Sequence, residues 1–277
     1  MNFRDIACRH LAAYKTDVLK VNEPGLFRYR GRDLEKGHIL PFSEQHKNII
    51  EPYRDRFWRF WESGYSHDDL HRYFHHLNSS QALCFNLFYP LIAESSLAVF
   101  LDYLGILAES SRYEPCFEKA STLENARRKT SFDFYVRYAD ASEIFVEVKY
   151  TEDGFGEAAK DSEHRQKFKE TYLHLVRQSA YLQPDCADED FFLTHYQLLR
   201  NLVHITAHGM VVLLFPKANK EVLAEACLAQ DRFLTEQGRA RLRLVYLEDL
   251  LPYLERRLTG QELGRYYRSF REKYLSA

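Results

Sequence analysis

The stretch that decides the fold is Ser131–Thr151, SFDFYVRYADASEIFVEVKYT, which contains two runs of alternating apolar and polar residues. Asp133 is a polar position of the first run, and Glu147 and Lys149 are polar positions of the second. A period of two predicts strands with one apolar face, and the polar break at residues 140–142 predicts a hairpin turn. If the turn keeps matching faces together, Asp133 lies opposite Glu147 or Lys149, with Cβ atoms about 5 Å apart.

These three side chains suggest a metal site. Two carboxylates at that separation repel each other and attract a hard divalent cation such as Mg²⁺, which prefers oxygen ligands about 2.1 Å away. A metal ion held by Asp133 and Glu147 could polarise a phosphate oxygen, while the ammonium group of Lys149 orients a water or offsets developing charge. The arrangement suits hydrolysis of a phosphodiester. The alternative is a surface hairpin whose exposed face carries charges without a function.

The pattern of Asp133 followed by Glu147-Val148-Lys149 resembles the D…(D/E)-x-K signature of the PD-(D/E)XK, or restriction-endonuclease-like, nuclease superfamily. Phe132 stands where the family name has a proline. The resemblance implies an α/β (α+β) fold with a mixed central β-sheet flanked by helices. It also implies cleavage of DNA with Mg²⁺, or Mn²⁺ as a substitute, in which Asp133 and Glu147 bind the metal and Lys149 positions the attacking water.

The order of the predicted elements agrees with this resemblance, which covers roughly residues 79–215. An apolar helical pattern over residues 81–104, interrupted by Pro90, is expected to pack across the sheet. An edge strand between residues 112 and 129 precedes the hairpin, and helices over 160–182 and 191–207 follow it. The strands Met210–Phe215 and Arg241–Leu247, joined by a helix over 220–237, form a β-α-β unit with a parallel strand pair.

Further site residues are expected on the helices. The resemblance makes Glu94, in the first turn after Pro90, an additional metal or water ligand, although a helix dipole favours an acid there without any function. Gln197 and Arg200 lie on the polar face of the helix before the Met210 strand. The resemblance places Gln197 near the metal, and both residues are candidates for contact with DNA.

A basic cluster, Arg127-Arg128-Lys129, stands directly before the Asp133 strand. At the mouth of the site it would contact phosphates of DNA, and the alternative is a solvated loop.

Residues 1–77 are aromatic and basic with several Pro and Gly breaks, which predicts short helices joined by loops in an N-terminal extension before a nuclease domain over 78–277. Residues 27–32 and 53–61 interleave arginine with aromatic rings, either to contact phosphates and bases or to pack the extension. A run of four histidines could suggest a metal site: His67, His71, His75 and His76. His71 and His75 are spaced i, i+4, but no third ligand is near them, so a solvated helix face is favoured.

Composition limits the classes of protein. Of 277 residues 45% are hydrophobic and 15% aromatic, enough for a globular core, and the formal charge of −2 requires any DNA contact to come from local basic patches. Five scattered cysteines without a CxxC pair indicate neither a zinc cluster nor a disulfide framework, so a cytoplasmic location is expected. No apolar run approaches the ~20 residues of a membrane span, and the first twenty residues are charged, so neither an anchor nor a signal peptide is expected.

Three functions compete. The first is a Mg²⁺-dependent DNA endonuclease, with a homodimer as a candidate assembly. The second is a non-catalytic module on the same fold that binds nucleic acid or a protein. The third is another phosphoesterase or a nucleotidyltransferase, but no P-loop, Gly-Ser loop or His-Asp pair in the sequence supports it.

Overall fold

The computed structural model describes residues 2–66, 70–106, 112–124, 129–259 and 262–275. The chain forms two compact units: unit 1 is Met1–Ala108 with Leu247–Ala277, and unit 2 is Glu109–Tyr246. The predicted boundary between residues 77 and 78 therefore falls inside unit 1. Unit 2 contains Asp133, Glu147 and Lys149.

Unit 1 begins with helix α1 (Phe3–Asp17) and an antiparallel hairpin of β1 (Gly25–Tyr29) and β2 (Arg32–Lys36). At the turn between the strands, Arg30 and Gly31 have φ values of 48° and 77°, a left-handed geometry that suits the twist of a two-residue hairpin. The prediction of short helices joined by loops is therefore wrong at residues 25–36.

Two short helical elements follow, a 3₁₀ helix at Phe42–Asn48 and α2 at Arg54–Gly64. The aromatic side chains of Phe57 and Trp61 on α2 are fully buried. Their burial favours the packing interpretation of the aromatic and basic run at residues 53–61.

Helices α3 (Ser80–Ala93) and α4 (Ala98–Tyr103) form the apolar region predicted at residues 81–104, but Pro90 lies inside α3 instead of opening a second helix. A proline removes the amide that would bond to the carbonyl four residues earlier. That carbonyl, of Asn86, instead accepts a hydrogen bond of 2.7 Å from the hydroxyl of Tyr266. Glu94 consequently caps the C-terminus of α3, so its predicted position in a first helical turn is wrong. Moreover, α3 belongs to unit 1, whereas the sheet belongs to unit 2.

Unit 2 is built on a five-stranded sheet in the order β3-β4-β5-β6-β7, with the first two pairs antiparallel and the last two parallel. The strands are β3 (Tyr113–Ala120), β4 (Ser131–Tyr138), β5 (Glu143–Val148), β6 (Gly209–Phe215) and β7 (Leu242–Tyr246). The sheet confirms the predicted mixed α/β fold, the edge strand, the hairpin and the parallel pair.

The predicted helices of unit 2 are present but divided. Residues 160–182 contain α5 (Ser162–Lys167), a π-helical turn (Phe168–Tyr172) and α6 (Leu173–Gln178), and residues 191–207 contain parts of α7 (Glu189–Thr194) and all of α8 (Tyr196–Leu202). The connection from β6 to β7 contains α9 (Lys220–Leu228), a second π-helical turn (Ala229–Phe233) and α10 (Glu236–Arg239).

These helices cover one face of the sheet. The buried cluster there includes Phe145 and Leu213 from the strands and Phe192 and Leu199 from the helices. In β5 and its continuation, Phe145 alternates in step with Glu147 and Lys149, so the charged side chains share the covered face. The alternative of an exposed, solvated hairpin face is therefore wrong.

The chain returns to unit 1 with α11 (Leu247–Arg257) and α12 (Glu262–Tyr274). The hydroxyl of Tyr267 on α12 donates a hydrogen bond of 2.8 Å to the carbonyl of Leu87 on α3. Lys273 is fully buried, and its Nζ atom donates to the backbone and side-chain oxygens of Asn48 at 2.5 and 2.7 Å. The five cysteines are free thiols, and no helix in the described ranges is long and apolar enough to cross a membrane.

Candidate active site

Asp133 lies where the pairing of β4 with β5 ends. The last paired residues are Phe134 and Val146, and Asp133 is the next residue along β4, toward its start. Oδ2 of Asp133 accepts a hydrogen bond of 2.7 Å from the backbone N–H of Val148. The carboxylate thus satisfies an amide that a longer ladder would pair with a backbone carbonyl. This bond fixes the carboxylate beside the end of β5.

Glu147 and Lys149 stand on either side of Val148, so the period of two directs both side chains to the same face. They are 4% and 7% exposed, and Nζ of Lys149 is 3.0 Å from Oε1 of Glu147. Burial of such a pair is tolerated only when further hydrogen bonds satisfy both charges. The pair is therefore expected to depend on a third group.

Gln197, on α8, provides that third group. Its amide nitrogen donates to Oε1 of Glu147 at 3.0 Å, and its amide oxygen accepts from Nζ of Lys149 at 3.1 Å. An amide has a donor end and an acceptor end, so one orientation satisfies the carboxylate and the ammonium group together. The structure thus brings Gln197, predicted from the sequence, into contact with Glu147 on β5 and with Lys149 directly after it.

The pKa values of Asp133 and Lys149 are both raised, for different physical reasons. Burial raises the pKa of Asp133 well above its ordinary value, and repulsion by Glu147 and Glu118 raises it further, against the effect of the Val148 amide and Lys149. Burial lowers the pKa of Lys149, but attraction by Glu147, Glu152 and Asp133 outweighs this and raises it. Lys149 is therefore a cation at neutral pH, beside a carboxylate that resists ionisation.

Two acids in this region were not predicted from the sequence. Glu118 stands on β3 between the paired residues Phe117 and Lys119. It adopts a left-handed φ of 51° and accepts a hydrogen bond of 3.1 Å from the hydroxyl of Ser131. Glu152 accepts a hydrogen bond of 2.6 Å from the backbone N–H of Tyr150 and attracts Lys149. The alternating pattern of β3 contained a signal for Glu118, whereas the loop position of Glu152 contained none.

Arg200, predicted to contact DNA from the polar face of its helix, is half-buried, and its role in DNA binding stays a prediction. Its guanidinium lies 3.4 Å from the fully buried carboxylate of Glu124 and stands over the ring of Tyr196 at 5.0 Å. The same carboxylate accepts a hydrogen bond of 3.0 Å from the backbone N–H of Thr130 and another from its hydroxyl. Arg200 therefore fastens the β3–β4 connection to α8. In that connection Lys129 is exposed, whereas Arg127 and Arg128 lie outside the described residues.

Glu94 belongs to unit 1, and its Oε1 is 2.6 Å from a guanidinium nitrogen of Arg56. A role for Glu94 as a metal ligand stays a prediction. Of the histidine run, His67 also lies outside the described residues. In the part of the chain that the structure describes, no three His, Cys, Asp or Glu side chains form a group that could hold a metal ion. Metal binding at the motif would accordingly use two carboxylates, Asp133 and Glu147.

Comparisons with known proteins bear on the chain as a whole. No curated protein and no solved structure matched it. The model of one protein family, described as "Restriction Endonuclease associating with ARP", matches residues 8–275. That match extends beyond the motif to nearly the full length, and it confirms the resemblance stated from the motif: the chain belongs to this restriction-endonuclease-like family.

Proposed function

We propose that this protein is a metal-dependent endonuclease that hydrolyses phosphodiester bonds of DNA. The observation that carries the proposal is the contact set of Asp133, Glu147 and Lys149 at the end of the β4–β5 pairing. The family supports a nuclease-like role, and the site supplies the acids and the cation that such a role requires.

The donor set fits Mg²⁺, because Mg²⁺ retains several waters and is commonly bound by one or two carboxylates together with substrate phosphates. Asp133 and Glu147 would hold the ion, with Mn²⁺ as a substitute. The raised pKa of Asp133 reflects the burial of its carboxylate and its repulsion by neighbouring acids, which a divalent cation would relieve. When bound, the metal would supply polarisation of the phosphate and activation of a water.

The residues of the chain supply the rest of the chemistry. Lys149 remains charged and is held by Glu147 and Gln197, so its ammonium group is oriented without help from substrate. It would direct the attacking water and offset negative charge in the transition state. Gln197 touches Glu147 and Lys149 and acts as a positioning residue for both.

DNA binding is assigned to the connection before β4. Arg127, Arg128 and Lys129 would contact phosphates, since the formal charge of −2 leaves no general attraction for DNA. Arg200 would help indirectly, because its contact with Glu124 anchors this connection. Cleavage of both strands would suit a homodimer, and the free cysteines suit the cytoplasm.

A second candidate is a non-catalytic module that binds nucleic acid or a protein. The contacts of Glu147 favour it, because Oε1 is already bound by Lys149 and Gln197 and so has less capacity for a metal. The two candidates differ in one measurable property, metal-dependent cleavage.

The test incubates the purified chain with supercoiled plasmid in Mg²⁺, Mn²⁺ or EDTA. We expect nicking or cutting with either metal and none in EDTA. Three variants should lose activity while remaining folded: Asp133→Asn, Glu147→Gln and Lys149→Ala. Gln197→Ala should lose roughly 10- to 100-fold, as expected for a residue that orients a ligand.

The control is Asp140→Asn, in the turn of the same hairpin, where the carboxylate accepts a hydrogen bond of 2.9 Å from the backbone N–H of Ser142. This variant should cut like the unmodified protein. Cleavage that survives in Asp133→Asn, Glu147→Gln and Lys149→Ala would exclude the proposed site. Binding of DNA without cleavage in any metal would favour the second candidate.

A further inference from the structure

Unit 1 contains a cavity of about 620 Å³ between one face of α1 and the residues that follow β2. That volume lies in the range of small-molecule binding sites, roughly 300–1,000 Å³. All of its lining residues belong to unit 1, so the cavity is distinct from the Asp133 site in unit 2.

The charges at the cavity are predominantly positive. Arg4 and Arg9 come from α1 and Lys36 from the end of β2, and all three residues are exposed at its rim. Asp5 is the one carboxylate among the lining residues. Three cations against one acid favour an anionic ligand.

The inner wall offers rings and neutral polar groups. His38 is half-buried and His76 is buried, while Phe27 is half-buried with its ring centroid 5.9 Å from that of His76. Burial, with the positive charges of Lys36, Arg4 and Lys15, lowers the pKa of His38 to about 4, and burial lowers that of His76 to about 3. Both imidazoles are therefore neutral at pH 7, and they can form hydrogen bonds or ring contacts with an uncharged group.

Two small residues keep the cavity open. A Cβ atom added to Gly37 would lie 3.1 Å from the Cβ atom of Ala12, and both residues line the cavity. A larger side chain at either position would enter this space. The volume is thus sensitive to a substitution that changes no charge.

We propose that this cavity binds a nucleoside phosphate, with the phosphates at Arg4, Arg9 and Lys36 and the base against Phe27 and the imidazoles. Phosphates prefer arginine and lysine donors, and a base stacks on rings. A single-stranded nucleic acid is less well suited, because it requires a basic track with successive stacking rings, whereas this is one pocket with a cluster of three cations at its rim. The proposal is independent of the cleavage activity proposed above.

The first test titrates the full chain calorimetrically with ADP, GDP, CDP and UDP, and with pyrophosphate. At least one nucleoside diphosphate should bind more tightly than pyrophosphate. Lys36→Ala and Arg4→Ala should each weaken that binding about tenfold, as expected for loss of a charge-assisted hydrogen bond. Arg28→Ala removes an exposed arginine of β1 that does not line the cavity, and it should bind normally.

The second test distinguishes binding inside the cavity from attraction by the charged surface around it. Ala12→Leu should abolish binding, whereas Ala13→Leu, at an exposed position of the same helix, should not. The proposal is overturned if no nucleoside diphosphate binds, if pyrophosphate binds as tightly, or if Ala12→Leu binds normally. Tighter binding of a short single-stranded oligonucleotide through the same lysine and arginine would also overturn it.

Discussion

At the scale of single residues, the pKa of the Asp133 carboxylate is set by opposing interactions. It is desolvated and repelled by Glu147 and Glu118, but it is held by the amide of Val148 and attracted by Lys149. The net effect is a raised pKa, and burial contributes more than repulsion. A carboxyl group with a raised pKa binds protons more tightly in the folded protein than in the unfolded chain. Its ionisation therefore reduces the free energy of unfolding.

Asp133→Asn should remove this cost while keeping an oxygen that accepts from Val148. In EDTA at pH 8, the melting temperature should be equal to or higher than that of the unmodified protein. The difference should shrink as pH falls from the raised folded-state pKa toward the unfolded value of about 3.9, because both proteins then lack the charge. Thermal melts across pH measure this. One unit of pKa shift is worth about 1.4 kcal/mol, and each kcal/mol corresponds to about 2–4 °C.

Mg²⁺ or Mn²⁺ should stabilise the unmodified protein more than the variant, because the ions bind preferentially to the folded site. If Asp133→Asn lowers the melting temperature strongly at every pH and metal shifts neither protein, the aspartate has a structural role and binds no metal.

The sequence was informative at this scale where spacing alone decides geometry. Glu147 and Lys149 are separated by one residue on a strand, so their contact follows from the period of two. The contact of Arg200 with Glu124 could not be predicted in this way, because the two residues are 76 positions apart in the chain. A polar helix face in a sequence does not indicate which distant loop covers it.

At the scale of elements, the β3–β4 connection is fastened by Glu124, whose carboxylate bonds to Thr130 and Arg200. Burial alone would raise the pKa of Glu124, but these partners lower it overall. The stabilisation is therefore present above the unfolded pKa of about 4.3 and is lost as pH falls through the lowered folded-state value.

Glu124→Ala should reduce the free energy of unfolding by about 3–5 kcal/mol, because it leaves a largely buried guanidinium without its carboxylate. Glu94→Ala is the matched control, since it breaks a more exposed pair with Arg56 and should cost at most about 1 kcal/mol. Urea unfolding followed by far-UV circular dichroism, which reports the secondary structure of both units, measures both. Equal costs would show that Glu124 does not anchor the connection.

Replacing Arg127, Arg128 and Lys129 together by alanine should weaken DNA binding and flatten its salt dependence. Each lost phosphate contact should reduce the slope of log K against log[salt] by about 0.9. Fluorescence anisotropy at several salt concentrations measures the slope. The control replaces three exposed cations elsewhere in unit 2: Lys217, Lys220 and Arg239. If the salt slope of the Arg127, Arg128 and Lys129 variant equals that of the unmodified protein, the DNA binds on another surface.

The elements themselves were predictable where the pattern was regular. Strands β4 to β7 were expected because their apolar runs are bounded by turn residues. The antiparallel pairing of β4 with β5 and the parallel pairing of β6 with β7 followed from the connections. The β1–β2 hairpin was missed because its turn depends on a left-handed arginine next to Gly31. Pro90 was misread as a helix start because its tolerance inside α3 depends on Tyr266, far away in the sequence.

At the scale of the whole molecule, the two units contain buried ionisable groups with opposite pH responses. Burial lowers the pKa of Lys273 in unit 1 well below its ordinary value, and Arg54 lowers it further. The unfolded chain then binds more protons, so this group makes unit 1 more stable as pH rises from the folded-state pKa toward about 10.4. Asp133 has the opposite effect in unit 2 between its own two pKa values.

Lys273→Met should therefore flatten the pH dependence of stability in unit 1 and leave that of unit 2 unchanged. Each unit of pKa shift removed corresponds to about 1.4 kcal/mol. Hydrogen exchange read by mass spectrometry at several pH values resolves peptides of the two units. Arg268→Met, at an exposed position of α12, is the control and should change neither slope. If the stability of unit 1 depends on pH equally in Lys273→Met and in the unmodified protein, Lys273 is charged when buried.

The shape of β3 has a consequence for self-association in solution. A strand at the border of a sheet offers unpaired backbone groups to which a second chain can add, which is a route to aggregates and fibrils. In β3, Pro115 has no amide hydrogen to offer, and Glu118 interrupts the extended backbone with its left-handed φ. The same glutamate that raises the pKa of Asp133 thus also makes β3 a poor template for fibril growth.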